Sequence, residues 1–389
     1  MNAFFVNSAA WTAVICYAAA ALGCCYALFA AFAVRSFARS PGAPAPCAFP
    51  AVTVLKPLHG VEPSLHANLA TFCSQDYPGP VQIVFGVADP ADPAIAIVRK
   101  LIADFPDRDL TLAVNSRRHG ANAKVSNLIN MASEAEHDVL VISDSDIVVG
   151  PDYLKHIAAA LEQPGVGLVT CLYRGVAAAG LWSRLAAAGI DYQFLPNVLV
   201  GLKLGLATPC FGSTMALRKS TLAKIGGFEA VADRLADDYA LGALVRRAGL
   251  TVAIPHDTVG HVCSERSARE LLRHELRWAR TIRSVDPLGY AGLIITHALP
   301  LALLGLLLGG LTPAGLIVVA ALACRFALQV EIDRAFGLRD HMFRFGPVRD
   351  LLSFVVFVIS FFGRGIEWRG HRYGLQADKT LAYYGEVET

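Results

Sequence analysis

The stretch VLVISDSD, residues 139–146, decides how this chain is read. Its first half, Val139 to Ile142, is a short apolar run dominated by β-branched residues, which predicts a buried strand. The run breaks into Ser143, Asp144, Ser145 and Asp146. Two carboxylates on alternate residues leaving a buried strand can direct hard oxygen ligands toward one Mg2+ or Mn2+ ion that bridges a diphosphate. The competing explanation is a turn whose aspartate caps the helix after Pro151. Its place at the end of the fourth strand of a repeating pattern favours the metal site.

That pattern lies on either side of the stretch. Apolar runs at 52–55, 81–87 and 110–114 precede it, and helical patterns at 63–74, 93–104, 123–135 and 151–162 alternate with the strands. Such alternation predicts an α/β fold with a mainly parallel sheet covered by helices on both faces. In open sheets of this kind, ligands bind beyond the carboxyl ends of the strands. Asp89 ends the strand VQIVFGVAD at that edge, as Asp144 and Asp146 end theirs. The chain has no Walker A sequence and no GxGxxG opening a helix, so a metal rather than a glycine cradle is expected to hold the phosphates. Further on, ADDYALG (236–242) puts Asp237 and Asp238 ahead of a helical run. A carboxylate there can accept the proton of an attacking hydroxyl; the plainer reading is an acidic helix start favoured by the macrodipole.

Composition sets the wider frame. With 389 residues, 54% hydrophobic, 17% charged and a mean hydropathy of +0.47, the chain is too apolar for an ordinary soluble enzyme and fits a mixed soluble and membrane protein. A net charge of +2 carries no basic excess that would mark nucleic acid as a partner. The nine cysteines form no CxxC and no regular spacing, which points to reduced, buried thiols. His256, His261 and Cys263 lie close in sequence, but no second ligand pair follows, so they are expected to belong to a strand and loop.

Residues 9–34 are uncharged and longer than the roughly 20 needed to cross a bilayer. Residues 1–10 contain no Lys or Arg, whereas Arg35 and Arg39 follow the run. This predicts a retained anchor with its N-terminus outside and residue 35 onward in the cytoplasm. A proline-rich linker covers 36–50 and a catalytic domain 51–265. Residues 266–290 carry an amphipathic helix, with Leu272, Leu276 and Ala279 on one face and Arg269, Arg273, Arg277, Arg280 and Arg283 in a basic array. An interfacial position suits it, its arginines reaching anionic lipid heads or a diphosphate, against the alternative of a solvated charged face. Candidate spans at 291–309 and 312–330, with Pro313 and Gly315 at their turn, predict a hairpin within 291–331. In the final portion, 332–389, the run 351–362 is short enough for a re-entrant or interfacial segment, and Arg364, Arg369 and Arg372 behind it suit a cytoplasmic tail.

Taken in order, VTVLKPLHGVEP, QDYP (75–78), GVADPADPAI, NAKVSNL, VISDSDI, ADDYALG, HELRW and WRGHRYGL give the chain a resemblance to a known family. From about residue 52 to 374 it resembles the inverting nucleotide-sugar glycosyltransferases of GT-A fold, and among them the ceramide glucosyltransferase family. The resemblance implies that Asp89 holds the uracil and ribose end of a UDP-sugar and that Lys124 lies near its phosphates. It likewise implies that Asp144 and Asp146 take the metal and diphosphate, and that Asp238 is the base. Arg277 and Trp278 match the RW of the family's (Q/R)xxRW signature. His274 stands at the Gln or Arg position, which leaves Arg273 as a substitute.

DSD, where animal members have DSG, is similar to the bacterial branch associated with hopanoid biosynthesis. That likeness implies a multi-pass protein of the bacterial inner membrane with a cytoplasmic catalytic domain. Its partners would be a UDP-sugar, a lipid acceptor and the bilayer, and its cofactor Mg2+ or Mn2+. The specific expectation is transfer of N-acetylglucosamine from UDP-GlcNAc to bacteriohopanetetrol, with glucose from UDP-glucose to ceramide as the alternative. A processive polysaccharide synthase would need more membrane helices to build a polymer channel. A non-enzymatic membrane carrier would place ionisable groups within its spans, where Arg325 is the one charge well inside a predicted span.

Overall fold

Runs rich in Val, Ile and Leu form β1 (Val52–Leu58), β2 (Val81–Val87), β3 (Asp109–Val114) and β4 (Val139–Ile142), and these strands pair in parallel in the order β3-β2-β1-β4. The computed structural model describes residues 2–44, 46, 48–178, 180–309, 314–338, 342–363, 365–368, 371–375 and 381–386. It divides into two units. One holds Pro41–Ala178, Pro209–Ser264 and Gly365–Thr389; the other holds Met1–Ser40, Ala179–Thr208 and Glu265–Arg364.

In the first unit, β5 (Ile147–Val148), β6 (Val166–Val169), β7 (Tyr173–Ala177), β8 (Met215–Arg218), β9 (Thr251–Ala253) and β10 (Val259–Cys263) follow the first four strands. β8 joins β4 antiparallel, and β6 and β9 complete a seven-stranded sheet, β3-β2-β1-β4-β8-β6-β9. A small sheet, β5-β10-β7, stands beside it in the topology, and β11 (Gly365–Trp368), β12 (His371–Leu375) and β13 (Leu381–Glu386) form a third. The expected mainly parallel sheet is therefore present, extended by strands across an antiparallel junction.

Alternate residues on each strand feed two cores, as the two-residue period of a strand requires. Val54, Ile83, Phe85 and Val141 pack with Leu65, Phe72, Val98, Leu101 and Ile157 from the helices Leu65–Cys73, Ala94–Asp104 and Tyr153–Leu161. Leu55, Val84, Leu140 and Ile142 pack with Val125, Leu128, Met131, Leu241 and Val245 from the helices Ala123–Ala132 and Asp237–Arg247. Each such side chain taken from water contributes about 1.5–3 kcal/mol. Covered on both faces, the sheet leaves the carboxyl ends of β1, β2 and β4 as the edge where polar groups collect.

The second unit is helical. Three of its helices, Ala10–Arg39, Gly180–Lys203 and Gly315–Phe336, are long and apolar enough to cross a membrane, as befits a membrane protein. Sequence reading did not single out the second. Arg184, Asp191, Gln193, Pro196 and Asn197 break its apolar run, and the helix passes through a π turn at Ile190–Phe194. Two of these residues have side-chain partners within the unit: Asn197 accepts from Tyr26 at 2.6 Å, and Gln193 donates to Thr296 at 2.9 Å.

Where a span was expected at 291–309, Pro287–Thr296 and Ala298–Gly309 meet at a 65° bend. Pro300 sits in the first turn of the second piece, where its missing N–H costs nothing. Tyr17 donates to the Gly305 carbonyl at 2.6 Å, and a Cβ at Gly305 would lie 2.4 Å from that ring, so this close helix crossing requires glycine. Pro313, Arg364 and Arg369 lie outside the described residues. The short run expected at 351–362 belongs to a helix, Gly346–Ser360, whose buried side carries Arg349, Asp350, Ser353 and Ser360.

Candidate active site

Beyond the ends of β1 and β4, the main chain turns through Ser143–Asp146, two helices bring charged groups to this edge, and a third segment brings Gly212. The helix Ala123–Ala132 is capped by Asn122, whose side chain accepts from the N–H groups of Lys124 and Val125, so Lys124 stands in its first turn. Lys124 Nζ lies 2.6 Å from Asp144 Oδ1 and 3.5 Å from Asp237 Oδ2. Burial presses its ammonium toward neutrality, but Asp144, Asp237 and Asp238 outweigh that effect and hold it charged, its pKa raised.

The helix Asp237–Arg247 supplies the carboxylates of its first turn. Asp238 Oδ2 accepts from Gly212 N at 2.8 Å and Oδ1 from its neighbour Tyr239 N at 2.7 Å. Burial and the adjacent Asp237 lift the Asp238 carboxyl from 3.8 to about 6, against the opposing pull of Lys124 and the two N–H groups. Asp237 is also raised, by burial first, with Lys124 opposing. Gly212 comes from the segment leading into β8. A Cβ there would stand 2.8 Å from Asp144 Oδ2 and 3.0 Å from Lys124 Nζ, so a larger residue would press on both.

Asp146 differs from Asp144. Its Oδ1 is buried and has no hydrogen-bond partner among the described residues, and His261 Nδ1 on β10 is 3.7 Å away. An unsatisfied carboxylate oxygen beside a second carboxylate suits a hard cation. No group of three or more His, Cys, Asp or Glu is poised to hold a metal among the described residues. Two carboxylates fit Mg2+ or Mn2+ only as a site completed by substrate phosphates and water, a manner of binding common for Mg2+.

Sequence reasoning missed several supports of this edge. Lys56, within β1, is wholly buried; burial lowers its pKa to about 7 against the attraction of Asp144, Asp146 and Glu62. The visible signal was one lysine in the apolar strand VTVLKPL. Gly212 gave no local signal at all.

The remaining expected residues are spread more widely. Asp89 is exposed just past β2 and accepts from Ala91 N at 2.8 Å; β1 separates its strand from β4. The neighbouring Asp92 faces inward and accepts twice from Gly60 N. Arg277 and Trp278 belong to the helical unit, on the helix Ala268–Val285. There His274 bonds Glu265 through Nδ1 at 2.5 Å and packs its ring edge-on to Trp278 at 4.4 Å. Arg280 and Arg283 donate to the carbonyls of Phe362 and Gly363, at the end of the helix Gly346–Ser360. Two of the five arginines in the basic array thus bond to main-chain carbonyls of the protein itself.

A mainly parallel sheet with paired aspartates at the end of its fourth strand is the arrangement of the GT-A glycosyltransferases. Residues 15–381 match the model of glycosyl transferase family 21, and the chain belongs to that family. A mannosyltransferase of Pyrobaculum calidifontis, solved with GDP-Man and Mn2+, superposes with a TM-score of 0.54 at 21% identity, covering 90% of this chain and 99% of its own; at that identity the likeness shows the fold. Ceramide glucosyltransferase 1 of Caenorhabditis elegans is 28% identical over 206 residues, 53% of this chain and 44% of the relative. An N-acetylglucosaminyltransferase of Rhizobium meliloti is 26% identical over 246 residues, 60% of this chain and 55% of the relative. The chain spans about half the length, or less, of these curated relatives.

Proposed function

We propose that the chain is a membrane-bound inverting glycosyltransferase that moves a sugar from a UDP-sugar to the hydroxyl of a membrane lipid. The observation that carries this reading is the joining of Asp144, Lys124, Asp237 and Gly212-bound Asp238 at one sheet edge in a family 21 chain. Asp144 and Asp146 hold the cation, which when bound neutralises charge on the leaving diphosphate. Lys124 adds a fixed positive charge beside Asp144. Asp89 binds the uracil and ribose end, and Arg277 with Trp278, as the family signature, serves nucleotide-sugar binding.

Asp238 is the base. With its carboxyl lifted to about 6, it is mostly ionised near neutrality yet basic enough to take a proton in the transition state. Its two main-chain hydrogen bonds fix the carboxylate's orientation while leaving each oxygen a further acceptor position. The acceptor hydroxyl gives its proton to Asp238, its oxygen forms the bond to the anomeric carbon, and the bond to the diphosphate breaks with inversion. The departing group is UDP.

The preferred pair is UDP-GlcNAc and bacteriohopanetetrol, with the protein in a bacterial inner membrane and its catalytic unit on the cytoplasmic side. The DSDI sequence and RTIRSVDPLGY (280–290) support this through their likeness to the hopanoid branch. UDP-glucose with ceramide is the second reading, supported by relatives named ceramide glucosyltransferase that reach 34% identity over 122 residues. The deciding assay offers the protein, in nanodiscs with Mg2+ or Mn2+, each donor with each lipid and identifies products by mass spectrometry. Glycosylated ceramide with no hopanoid product overturns the preferred pair. UDP release that needs no lipid, with polymer formed, overturns the lipid acceptor.

A further inference from the structure

A charged side chain inside β1 calls for an explanation, because all seven residues of that strand are buried. Withdrawing an ammonium from water costs several kcal/mol even after relaxation. Methionine or leucine would fill the same volume, as Leu55 beside it does, without that cost. Lys56 Nζ lies 3.8 Å from the centroid of the Phe72 ring, an orientation that recovers part of the cost through the ring's negative face. The remaining compensation comes from the turn after β4. Lys56 donates to Ser143 Oγ at 3.3 Å and to the main-chain carbonyl of Asp144.

Other groups grip the same turn. Ser143 N donates to Leu55 O at 3.2 Å, Ser145 Oγ donates to Glu62 at 3.0 Å, and Val262 N donates to Asp146 O at 2.8 Å. Four successive residues are thereby tethered through main-chain or serine atoms, so the carboxylates of Asp144 and Asp146 are not used in the tethering. Lys56 is the one cationic member of this set.

We infer that Lys56 is a positioning residue of the cation-binding turn: by holding the Asp144 carbonyl and Ser143 from inside the sheet, it fixes the main chain from which both carboxylates project. The inference rests on the reading of Asp144 and Asp146 as cation ligands. It is distinct from a mere counter-charge role, and the two make opposite predictions. A counter-charge competes with the incoming cation, so its removal tightens metal binding. A positioning residue prearranges the ligands, so its removal loosens binding, typically by roughly 10- to 100-fold for supports of this kind.

The test uses the full chain in detergent or nanodiscs, with Mn2+ binding followed by electron paramagnetic resonance and UDP binding by calorimetry. The expected result for Lys56→Met is Mn2+ and UDP affinity each lowered roughly 10- to 100-fold, with donor KM raised more than kcat falls. Lys56→Arg, which can still donate to the Asp144 carbonyl, recovers part of the loss. A folded Lys56→Met protein that binds Mn2+ as tightly as the parent, or more tightly, overturns the inference. If both variants fail to give folded protein by circular dichroism, Lys56 serves the core and the inference falls. Absence of Mn2+ binding by the parent chain in the presence of UDP instead sinks the cation-site reading on which it rests.

Discussion

In the helical unit, Arg325 gives two hydrogen bonds to Asp350, at 2.9 and 2.5 Å, and two more to Tyr192 O and Gln193 Oε1. Arg349 forks onto Glu275 in the same way, and Tyr192 donates to Asp333 at 2.7 Å. At the sheet edge of the other unit, Asp144, Asp146, Asp237 and Asp238 gather around two lysines, and one Asp146 oxygen has no hydrogen-bond partner among the described residues. Both regions bury ionisable groups, but the first pairs unlike charges in fixed forks while the second crowds like charges, and there Asp237 and Asp238 have raised pKa values. Forked pairing holds helices in register within an apolar setting. Burial and crowding keep reactivity in store, because a carboxylate raised first by burial and then by a like-charged neighbour is a better base, and an unsatisfied oxygen is a waiting ligand.

The contrast is broken most directly at Asp238. Asp238→Asn should lower kcat by about two to four orders of magnitude with donor binding nearly intact, as measured by single-turnover transfer and UDP calorimetry; near-normal turnover would move the base to Asp237. The same variant sharpens the point through pH. Because the folded carboxyl is raised from 3.8 to about 6, its contribution to stability is fully present below 3.8 and is lost as pH rises through about 6. Activity runs the other way, since only the ionised form accepts a proton. In the parent, kcat/KM should rise through about pH 6 while this part of the stability declines, and Asp238→Asn should remove both slopes.

On the helical side, Arg325→Met should cost about 3 kcal/mol or more by stranding Asp350, and pairing it with Asp350→Leu should restore much of the loss. Equilibrium unfolding in detergent measures both; equal stability of the single and double variants would show that the fork is not the source of the effect. The next effect returns to the sheet edge. Asp146→Ala and Asp144→Ala should each weaken Mn2+-dependent UDP binding by at least roughly tenfold, since each removes a hard oxygen ligand. Normal donor binding by both in the presence of metal would reassign the site. The smallest effect is expected for Arg283→Ala, which loses one bond to the Gly363 carbonyl and a contact over the Phe361 ring and should cost about 0.5–1.5 kcal/mol without changing donor affinity. A fall in binding to anionic vesicles larger than that stability loss would show that Arg283 also contacts lipid.

Local pattern was enough to read the parallel strands, the helices between them, the acidic pair closing β4 and two of the three long apolar helices. Period-two burial, β-branched runs and uncharged stretches are each written within a few neighbouring residues. The tertiary structure alone decided what lies between distant ones. Lys56 meets the carbonyl of Asp144, 88 residues on, because β1 and β4 pair in one register. Gly212 meets Asp238 because β8 runs antiparallel to β4 and brings its leading segment to the same edge. Gly180–Lys203 carries polar residues that hide a helix long and apolar enough to cross a membrane, and only the tertiary structure pairs Asn197 with Tyr26 and Gln193 with Thr296. The basic array on residues 268–283 looked uniform in sequence, yet Arg280 and Arg283 bond to carbonyls more than 70 residues further along the chain. A periodic pattern records which face of an element avoids water; which charge meets which partner depends on sheet register and helix crossings, and these are set only when the whole core closes.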